Sequence, residues 1–155
     1  MFQENISFDE LGPVKLSKML KEGKNLRESV INNILHHLKN ILLCEPNVYY
    51  LKSPLIVCGD IHGQLFDLFK LFEKSGDDFI NALSEPTKLN NTYLFLGNYV
   101  DRGHNSIGTF IFLSILKIKF PHQIFLIRGD SENGHGSGFS YGLLDECVKI
   151  YGHQG

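Results

Sequence analysis

Three short apolar runs, each ended by a glycine-containing polar segment, limit the folds that this chain of 155 residues can adopt. The polar segments are 59–64 (GDIHGQ), 97–103 (GNYVDRG) and 128–132 (RGDSE). Stretches with apolar residues at helical spacing, 64–74 and 106–120, follow the first two segments. Such alternation is typical of a parallel sheet flanked by helices, and ligands bind these sheets beyond the carboxyl ends of the strands. The sequence therefore predicts an α/β fold with mainly parallel strands, and with the three polar segments gathered at one edge of the sheet.

The remaining pattern predicts further elements around these segments. Asn25, with Glu28 three residues later, is expected to cap a helix over 25–43. The stretch 106–120 is apolar nearly all round, which predicts a helix buried on more than one side. The other predicted helices are 15–21, 64–74 and 143–151, and the predicted strands are 48–51, 55–58, 93–96 and 123–127. The polar stretch 75–92 and the glycine-rich stretch 134–138 predict loops. In the helix 64–74, the residues expected to face the core are Leu65, Phe66, Leu68, Phe69, Leu71 and Phe72.

Charge and cysteine content exclude several classes of function. The formal net charge is −2, and no basic stripe suggests nucleic acid or a membrane surface. No run approaches the roughly 18 consecutive apolar residues of a spanning helix, and the first residues do not resemble a signal peptide. Three widely spaced cysteines fit reduced thiols better than a disulfide framework. We therefore expect a cytoplasmic or nuclear protein.

The polar segments contain the donor atoms of a candidate metal site. Asp60 and His62 stand two residues apart at the end of one strand, so both side chains should point the same way. Asn98 and Asp130 follow the next two strands. Carboxylate and imidazole groups suit a first-row divalent cation, and two cations about 3.5–4 Å apart can activate a bridging water and clamp a phosphoryl group. A purely structural, hydrogen-bonding role stays open for both Asn98 and Asp130.

Two further residues of the second segment suit phosphate chemistry. Arg102 can bind phosphate oxygens through two parallel hydrogen bonds. Asp101 is placed to orient a neighbouring acid or ligand. An ion pair of Arg102 with Asp101 or Asp60 is the alternative interpretation.

The three segments, in this order, resemble the motifs of the Ser/Thr phosphoprotein phosphatases within the calcineurin-like metallophosphoesterases. Those motifs read G-D-x-H-G, G-D-x-V-D-R-G and G-N-H-E. The first is intact here, and the second has Asn98 in place of its aspartate. The third keeps Gly129 and Glu132, but has Asp130 in place of asparagine and Ser131 in place of histidine. The chain resembles the first half of the family's catalytic domain, which implies half of a two-sheet sandwich, with an N-terminal segment at 1–24 and a partial domain at 25–155.

The resemblance implies a role for each matching position. It implies metal ligands at Asp60, His62, Asn98 and Asp130. It implies that residue 131 is the general acid, that Asp101 orients this acid, and that Arg102 binds phosphate. Because Ser131 cannot donate a proton near neutral pH as an imidazolium does, the substituted position predicts slower turnover. His135, on the glycine-rich loop, is an unfavoured substitute because catalytic groups need tight geometry.

The implied function is metal-dependent phosphomonoester hydrolysis on Ser/Thr phosphoproteins. The implied cofactors are divalent ions (Mn, Fe or Zn), up to two in the family, and the substitutions predict one or none here. We expect this chain alone to be impaired or inactive; the alternative is a non-catalytic regulatory or binding fragment, or a truncated pseudo-phosphatase. The expected partners are a phosphoprotein substrate or a regulatory protein, with no nucleic acid and no membrane. An uncovered sheet face, and a helix at 106–120 whose apolar surface suggests neighbours outside the chain, predict self-association or the need for a partner.

Overall fold

The computed structural model describes residues 8–84, 88–133 and 142–152, with side chains from residue 12 onward. In this part of the chain, six helices and three strands follow in this order: α1 (Phe8–Lys21), α2 (Glu28–Leu43), β1 (Ile56–Cys58), α3 (Leu65–Lys74), α4 (Phe79–Ser84), β2 (Tyr93–Phe95), α5 (Ser106–Lys119), β3 (Ile124–Leu126) and α6 (Leu143–Tyr151). None of these helices combines the length and the apolar character needed to cross a membrane.

The three strands form one parallel sheet in the order β1, β2, β3. Ile56 pairs with Tyr93, and Tyr93 pairs with Ile124, so the strands are in register along the sheet. Helix α3 follows β1 and helix α5 follows β2, as expected for parallel connections. The predicted α/β architecture, with parallel strands alternating with helices, is confirmed. Because the strands run the same way, the three polar segments leave the sheet at the same edge.

The core lies between one face of this sheet and the helices. Alternate strand residues such as Cys58, Phe95 and Ile124 are buried there. The rings of Phe72 and Phe112 pack edge to face among them. Helix α5 is buried on nearly every side and packs against α1, α2, α3, α6 and β3. Its burial was predicted, but its neighbours all lie within this chain, so α5 gives no reason to expect an outside partner.

The opposite face of the sheet remains open in the described residues. Val57 pairs with Leu94, so residues two positions along each strand point to the same face. On that face Val57 is 57% exposed, Leu96 43% and Ile127 37%. A row of exposed aliphatic side chains on a sheet is a surface that favours association. The expectation of an uncovered sheet face therefore agrees with the structure.

Side-chain contacts account for two elements that the sequence predicted wrongly. The stretch 75–92, expected to be mostly loop, contains helix α4, because the Asp78 carboxylate accepts hydrogen bonds from the backbone N–H groups of Ile80 and Asn81, both 3.1 Å long. Residues 48–51 form no strand. There Tyr49 donates its hydroxyl proton to Glu45, two residues beyond the end of α2, and packs its ring at 5.1 Å from that of Phe125.

Helix ends also differ from the prediction. Helix α2 begins at Glu28 with Arg27 as the N-terminal cap residue, and no side chain accepts a capping hydrogen bond there, so the assignment of Asn25 as the cap is wrong. Helix α1 begins at Phe8, earlier than the predicted 15, and contains a non-helical residue at Gly12. Phe66 on α3 is 55% exposed and does not face the core. The predicted loop at 134–138 lies outside the described residues.

Candidate functional site

The three polar segments converge at the carboxyl edge of the sheet; we call them the first (59–64), second (97–103) and third (128–132) motif loops. The backbone N–H groups of Ile61 and His62 both donate to the carbonyl oxygen of Asn98, at 3.0 and 2.9 Å. Gly97 approaches the third loop so closely that a Cβ atom there would lie 2.1 Å from the nitrogen of Gly129. Gly97 also has φ of 101°, which favours glycine. The loops are thus joined through their main chains, and the glycines make the approach possible.

Unusual backbone geometry is concentrated in these loops. Among the described residues, the non-glycine residues with positive φ are His62 (45°), Asn98 (54°), Asp101 (65°) and Arg102 (63°). A residue held in such a conformation costs about 1–3 kcal/mol, and such residues cluster at functional sites. Each of the four was singled out from the sequence for its chemistry. The surrounding contacts therefore hold these four residues in backbone conformations that non-glycine residues rarely adopt by themselves.

Asp60 and His62 present donor atoms to a common point. The imidazole Nδ1 lies 2.9 Å from the carbonyl oxygen of Val100, and a carbonyl only accepts, so Nδ1 carries a proton. The other ring nitrogen, Nε2, is buried without a hydrogen-bond partner and lies 3.2 Å from Asp60 Oδ2. In the neutral imidazole, Nε2 then has a buried lone pair beside a carboxylate oxygen, and a cation would satisfy both groups. These two residues fit one divalent ion as part of its ligand set.

Asn98 uses its side chain to connect all three loops. Its Oδ1 accepts hydrogen bonds from the backbone N–H groups of Asp130 (2.9 Å) and Ser131 (3.0 Å). Its Nδ2 donates to Asp60 Oδ1 at 3.2 Å. The Asn98 oxygen is therefore occupied by two N–H donors, and the atom that faces Asp60 is itself a donor.

The residues proposed for a second cation offer fewer free donors. Asp130 reaches the site through its backbone N–H, and the residue is exposed. Within residues 8–84, 88–133 and 142–152, no group of three or more His, Cys, Asp or Glu side chains is arranged to hold a metal ion. The described donor set therefore offers Asp60 and His62 as two ligands toward one cation, and does not by itself complete a site for one cation or for two.

Glu132 is a site residue for which the sequence pattern indicated no role. Its carboxylate accepts hydrogen bonds from the backbone N–H groups of Asn98 (2.8 Å), Tyr99 (2.8 Å) and Gly129 (2.9 Å). These bonds fix the second loop to the third. Tyr99 adds a bond from its hydroxyl to the carbonyl of Ile127 at 2.7 Å, and burial raises the pKa of this hydroxyl. The available sequence signal was an acidic residue three positions after a glycine at a strand end.

Asp101 links the second loop to the start of α6. It is buried, and its Oδ1 accepts a hydrogen bond from the backbone N–H of Leu143 at 2.7 Å. From the same helix, Glu146 accepts hydrogen bonds from the backbone N–H groups of Ser106 (2.7 Å) and Ile107 (3.0 Å) at the start of α5. Helix α6 therefore contributes to the position of the second loop. Arg102, the next residue, is exposed to solvent, as a phosphate-binding side chain requires.

Two other residues were considered from the sequence. Cys58 is buried in β1, and burial raises the pKa of its thiol to about 11, so it is not a reactive nucleophile. His135 lies in the stretch 134–141, outside the described residues.

Comparison with known proteins agrees with this geometry. A family model for the calcineurin-like phosphoesterases matches residues 53–155. The serine/threonine-protein phosphatase SIT4 of Candida albicans is 40% identical over 143 residues, which is 92% of this chain and 43% of that protein. A solved protein serine/threonine phosphatase of Saccharomyces cerevisiae, with similarity to human phosphatase PP5, matches with a TM-score of 0.70 at 33% identity, over 90% of this chain and 44% of that one. The chain thus spans less than half the length of these relatives.

Proposed function

Because the chain belongs to the calcineurin-like phosphoesterase family, we propose that it forms one side of a Ser/Thr phosphoprotein phosphatase site and hydrolyses phosphomonoesters poorly, or not at all, on its own. The observation that carries the proposal is the convergence of the three motif loops, with His62, Asn98, Asp101 and Arg102 all held at positive φ. Loops that only connect strands and helices have no need of such strain. A phosphate-binding edge does, because its donors must point to one place.

Asp60 and His62 would hold one divalent cation in this proposal, with Mn, Fe or Zn as the candidate metals. When bound, such an ion polarises a phosphoryl oxygen and lowers the pKa of a bound water. Asn98 and Asp130 complete the family's ligand positions only in part, since Asn98 offers its Nδ2–H group, not an oxygen, to Asp60. A second cation would need donors from outside the described residues.

The other roles belong to charged and hydroxyl side chains of the second and third loops. Arg102 would bind two phosphate oxygens through its guanidinium group. Asp101 would hold the second loop in place and orient the group at position 131. Ser131 offers a hydroxyl where the family has an imidazole, and general acid catalysis contributes about 10²–10⁴-fold. The missing acid and the incomplete second cation site together account for the proposed impairment.

A non-catalytic binding function is the second candidate, and the side chain of Asn98 favours it. All three hydrogen bonds of this side chain hold the loops together, which leaves the carboxyl edge of the sheet ordered but without the full catalytic set. In this case the phosphoprotein, or a regulatory protein, is bound and not hydrolysed.

A phosphopeptide assay in manganese-containing buffer separates the two candidates. We expect no turnover above that of the Asp60→Asn variant, together with binding of a phosphoserine peptide that exceeds binding of the same peptide without phosphate. Arg102→Ala should remove this difference in binding, and Arg102→Lys should reduce it, since a lysine cannot form the paired hydrogen bonds. Weak turnover that Asp60→Asn abolishes would favour the impaired phosphatase, and turnover as fast as that of a full-length phosphatase would contradict the proposed impairment. Equal binding of both peptides would contradict a phosphate site altogether.

The wider assignments are proposals of the same kind. We propose that residues 25–155 form part of the phosphatase domain and that the protein acts in the cytoplasm or nucleus, in keeping with three free thiols. The open sheet face, where Leu96 and Val57 are exposed, supports association with a second copy or a regulatory protein.

A further inference from the structure

We propose that the carboxamide of Asn98 assembles the three motif loops without a divalent cation, by placing an N–H donor where a carboxylate at residue 98 would need a cation. The inference concerns the same edge of the sheet as the proposed function. It rests on that function only for the expectation that position 98 would bridge cations. It is a statement about how the loops are held, and therefore has a test that does not involve catalysis.

The hydrogen bonds of Asn98 fix the orientation of its amide. The backbone N–H groups of Asp130 and Ser131 point at one atom of the side chain, at 2.9 and 3.0 Å, and an N–H group only donates. That atom must be the oxygen, so the nitrogen must face Asp60 Oδ1 at 3.2 Å. A flipped amide would set two donors against two donors and an acceptor against a carboxylate. The backbone N–H groups of the third motif loop thus determine that the amide oxygen of Asn98 faces that loop and the NH₂ group faces the first.

The same geometry would be unfavourable for an aspartate at position 98. One carboxylate oxygen would take the place of Oδ1, and the other would face Asp60 at about the present separation, so two negative charges would meet. The Glu132 carboxylate, which accepts the N–H of residue 98 at 2.8 Å, adds a third negative charge nearby. Like charges this close need a proton or a cation between them. Asn98 removes this need, because its amide hydrogen interacts with Asp60 directly.

The backbone makes Asn98→Asp a clean test of charge. Residue 98 has φ of 54°, and both asparagine and aspartate tolerate this left-handed region. The two side chains also have nearly the same shape. The variant therefore changes the group that faces Asp60 with little change in conformational preference.

A second Asn–Asp pair in the chain provides a matched control. Asn81 on α4 donates from Nδ2 to Asp78 Oδ2 at 2.8 Å, and both residues are exposed and outside the motif loops. Asn81→Asp creates the same clash of carboxylates at another exposed pair, but within one turn of α4 and not between two motif loops. Any effect common to both variants reports the added charge, and any effect limited to Asn98→Asp reports the motif loops.

Thermal unfolding of the full chain in EDTA and in excess MnCl₂ tests the proposal, with circular dichroism as the check that each variant folds. The wild-type protein should keep its full cooperative transition in EDTA. In EDTA, Asn98→Asp should lower the midpoint by roughly 2–4 °C, because the contact with Asp60 is exposed and water screens part of the repulsion. Manganese should restore it, with a larger rise than for the wild-type protein. The double variant Asp60→Asn/Asn98→Asp exchanges donor and acceptor, and should regain the wild-type midpoint in EDTA. Asn81→Asp should change little in either buffer.

Three results would overturn the proposal. One is an Asn98→Asp protein that melts like wild type in EDTA. Another is a wild-type protein that gains as much from manganese as Asn98→Asp does. The third applies if Asn98→Asp does not fold, and is a double variant Asp60→Asn/Asn98→Asp that also fails to fold. That result would mean that a hydrogen bond between residues 98 and 60 is not what joins the loops. Peptide binding and turnover do not enter these measurements, so failure of the proposed function would be seen separately.

Discussion

Removal of the Glu132 carboxylate should loosen the candidate site and destabilise the whole chain. This carboxylate accepts three backbone N–H bonds, from Asn98, Tyr99 and Gly129, at 2.8 to 2.9 Å. A hydrogen bond to a charged group contributes about 1.5–3 kcal/mol, but Glu132 is only partly buried, so water would replace part of what is lost. We therefore expect Glu132→Ala to lower the free energy of unfolding by about 3–4 kcal/mol, less than the sum of three bonds.

Glu132→Gln should fall between Glu132→Ala and the wild-type protein. The glutamine oxygen can still accept from Asn98 and Gly129, which share one carboxylate oxygen, whereas its NH₂ group would face the N–H of Tyr99. The expected loss is about 1–2 kcal/mol.

Urea denaturation followed by circular dichroism measures both changes. For a chain of this size, 1 kcal/mol corresponds to a shift of about 2–4 °C in a thermal melt, which provides a second readout. The control is Glu73→Ala, which removes an exposed carboxylate from α3. A Glu132→Ala protein within about 0.5 kcal/mol of wild type would refute the reasoning, because surface substitutions without partners already reach that range.

Three other experiments, two with substitutions and one with a thiol reagent, test separate parts of the fold. Lys117→Met should lower the free energy of unfolding by about 3–5 kcal/mol in urea, because the buried ammonium donates to the Glu45 carboxylate and to two backbone carbonyls; a loss below about 1 kcal/mol would contradict this. The exposed Cys44 thiol should react with a thiol reagent in the native protein, whereas Cys58, whose pKa burial raises to about 11, should react only in denaturant; equal native rates would count against the buried strand. Leu96→Lys should reduce concentration-dependent association in analytical sedimentation, since it charges the open sheet face, and a wild-type protein that stays monomeric at every concentration would remove the basis for that expectation.

Much of the fold was predictable because it follows from local pattern. The alternation of apolar runs and helical spacing led correctly to a parallel sheet, and helix α6 has the bounds expected from its sequence. Helix α4 was missed because its start depends on Asp78, whose capping role in a polar stretch cannot be separated from an ordinary loop by composition. The false strand at 48–51 has strand-forming residues, but Tyr49 is bound to Glu45 and to Phe125, contacts that only the tertiary structure creates.

The candidate site shows the same division. The motifs in the sequence indicated Asp60, His62 and Asn98 as site residues. In the structure, the side chain of Asp60 lies 3.2 Å from that of His62 and 3.2 Å from that of Asn98. Their ligand roles stay predictions. What the sequence did not supply was the direction of the Asn98 amide and the three bonds of Glu132, because both depend on backbone N–H groups from other loops. Residue types indicate which chemistry is available, whereas main-chain geometry decides which atoms are left free to do it.

The number of divalent cations held by the purified chain tests the central claim most directly. After loading with manganese and dialysis against metal-free buffer, elemental analysis should find at most one ion per chain, and this ion should be absent from the Asp60→Asn variant. Two tightly held ions per chain would contradict the account, because the described donors, Asp60 and His62, are ligands for one ion and the Asn98 amide is engaged with Asp60 and the third motif loop.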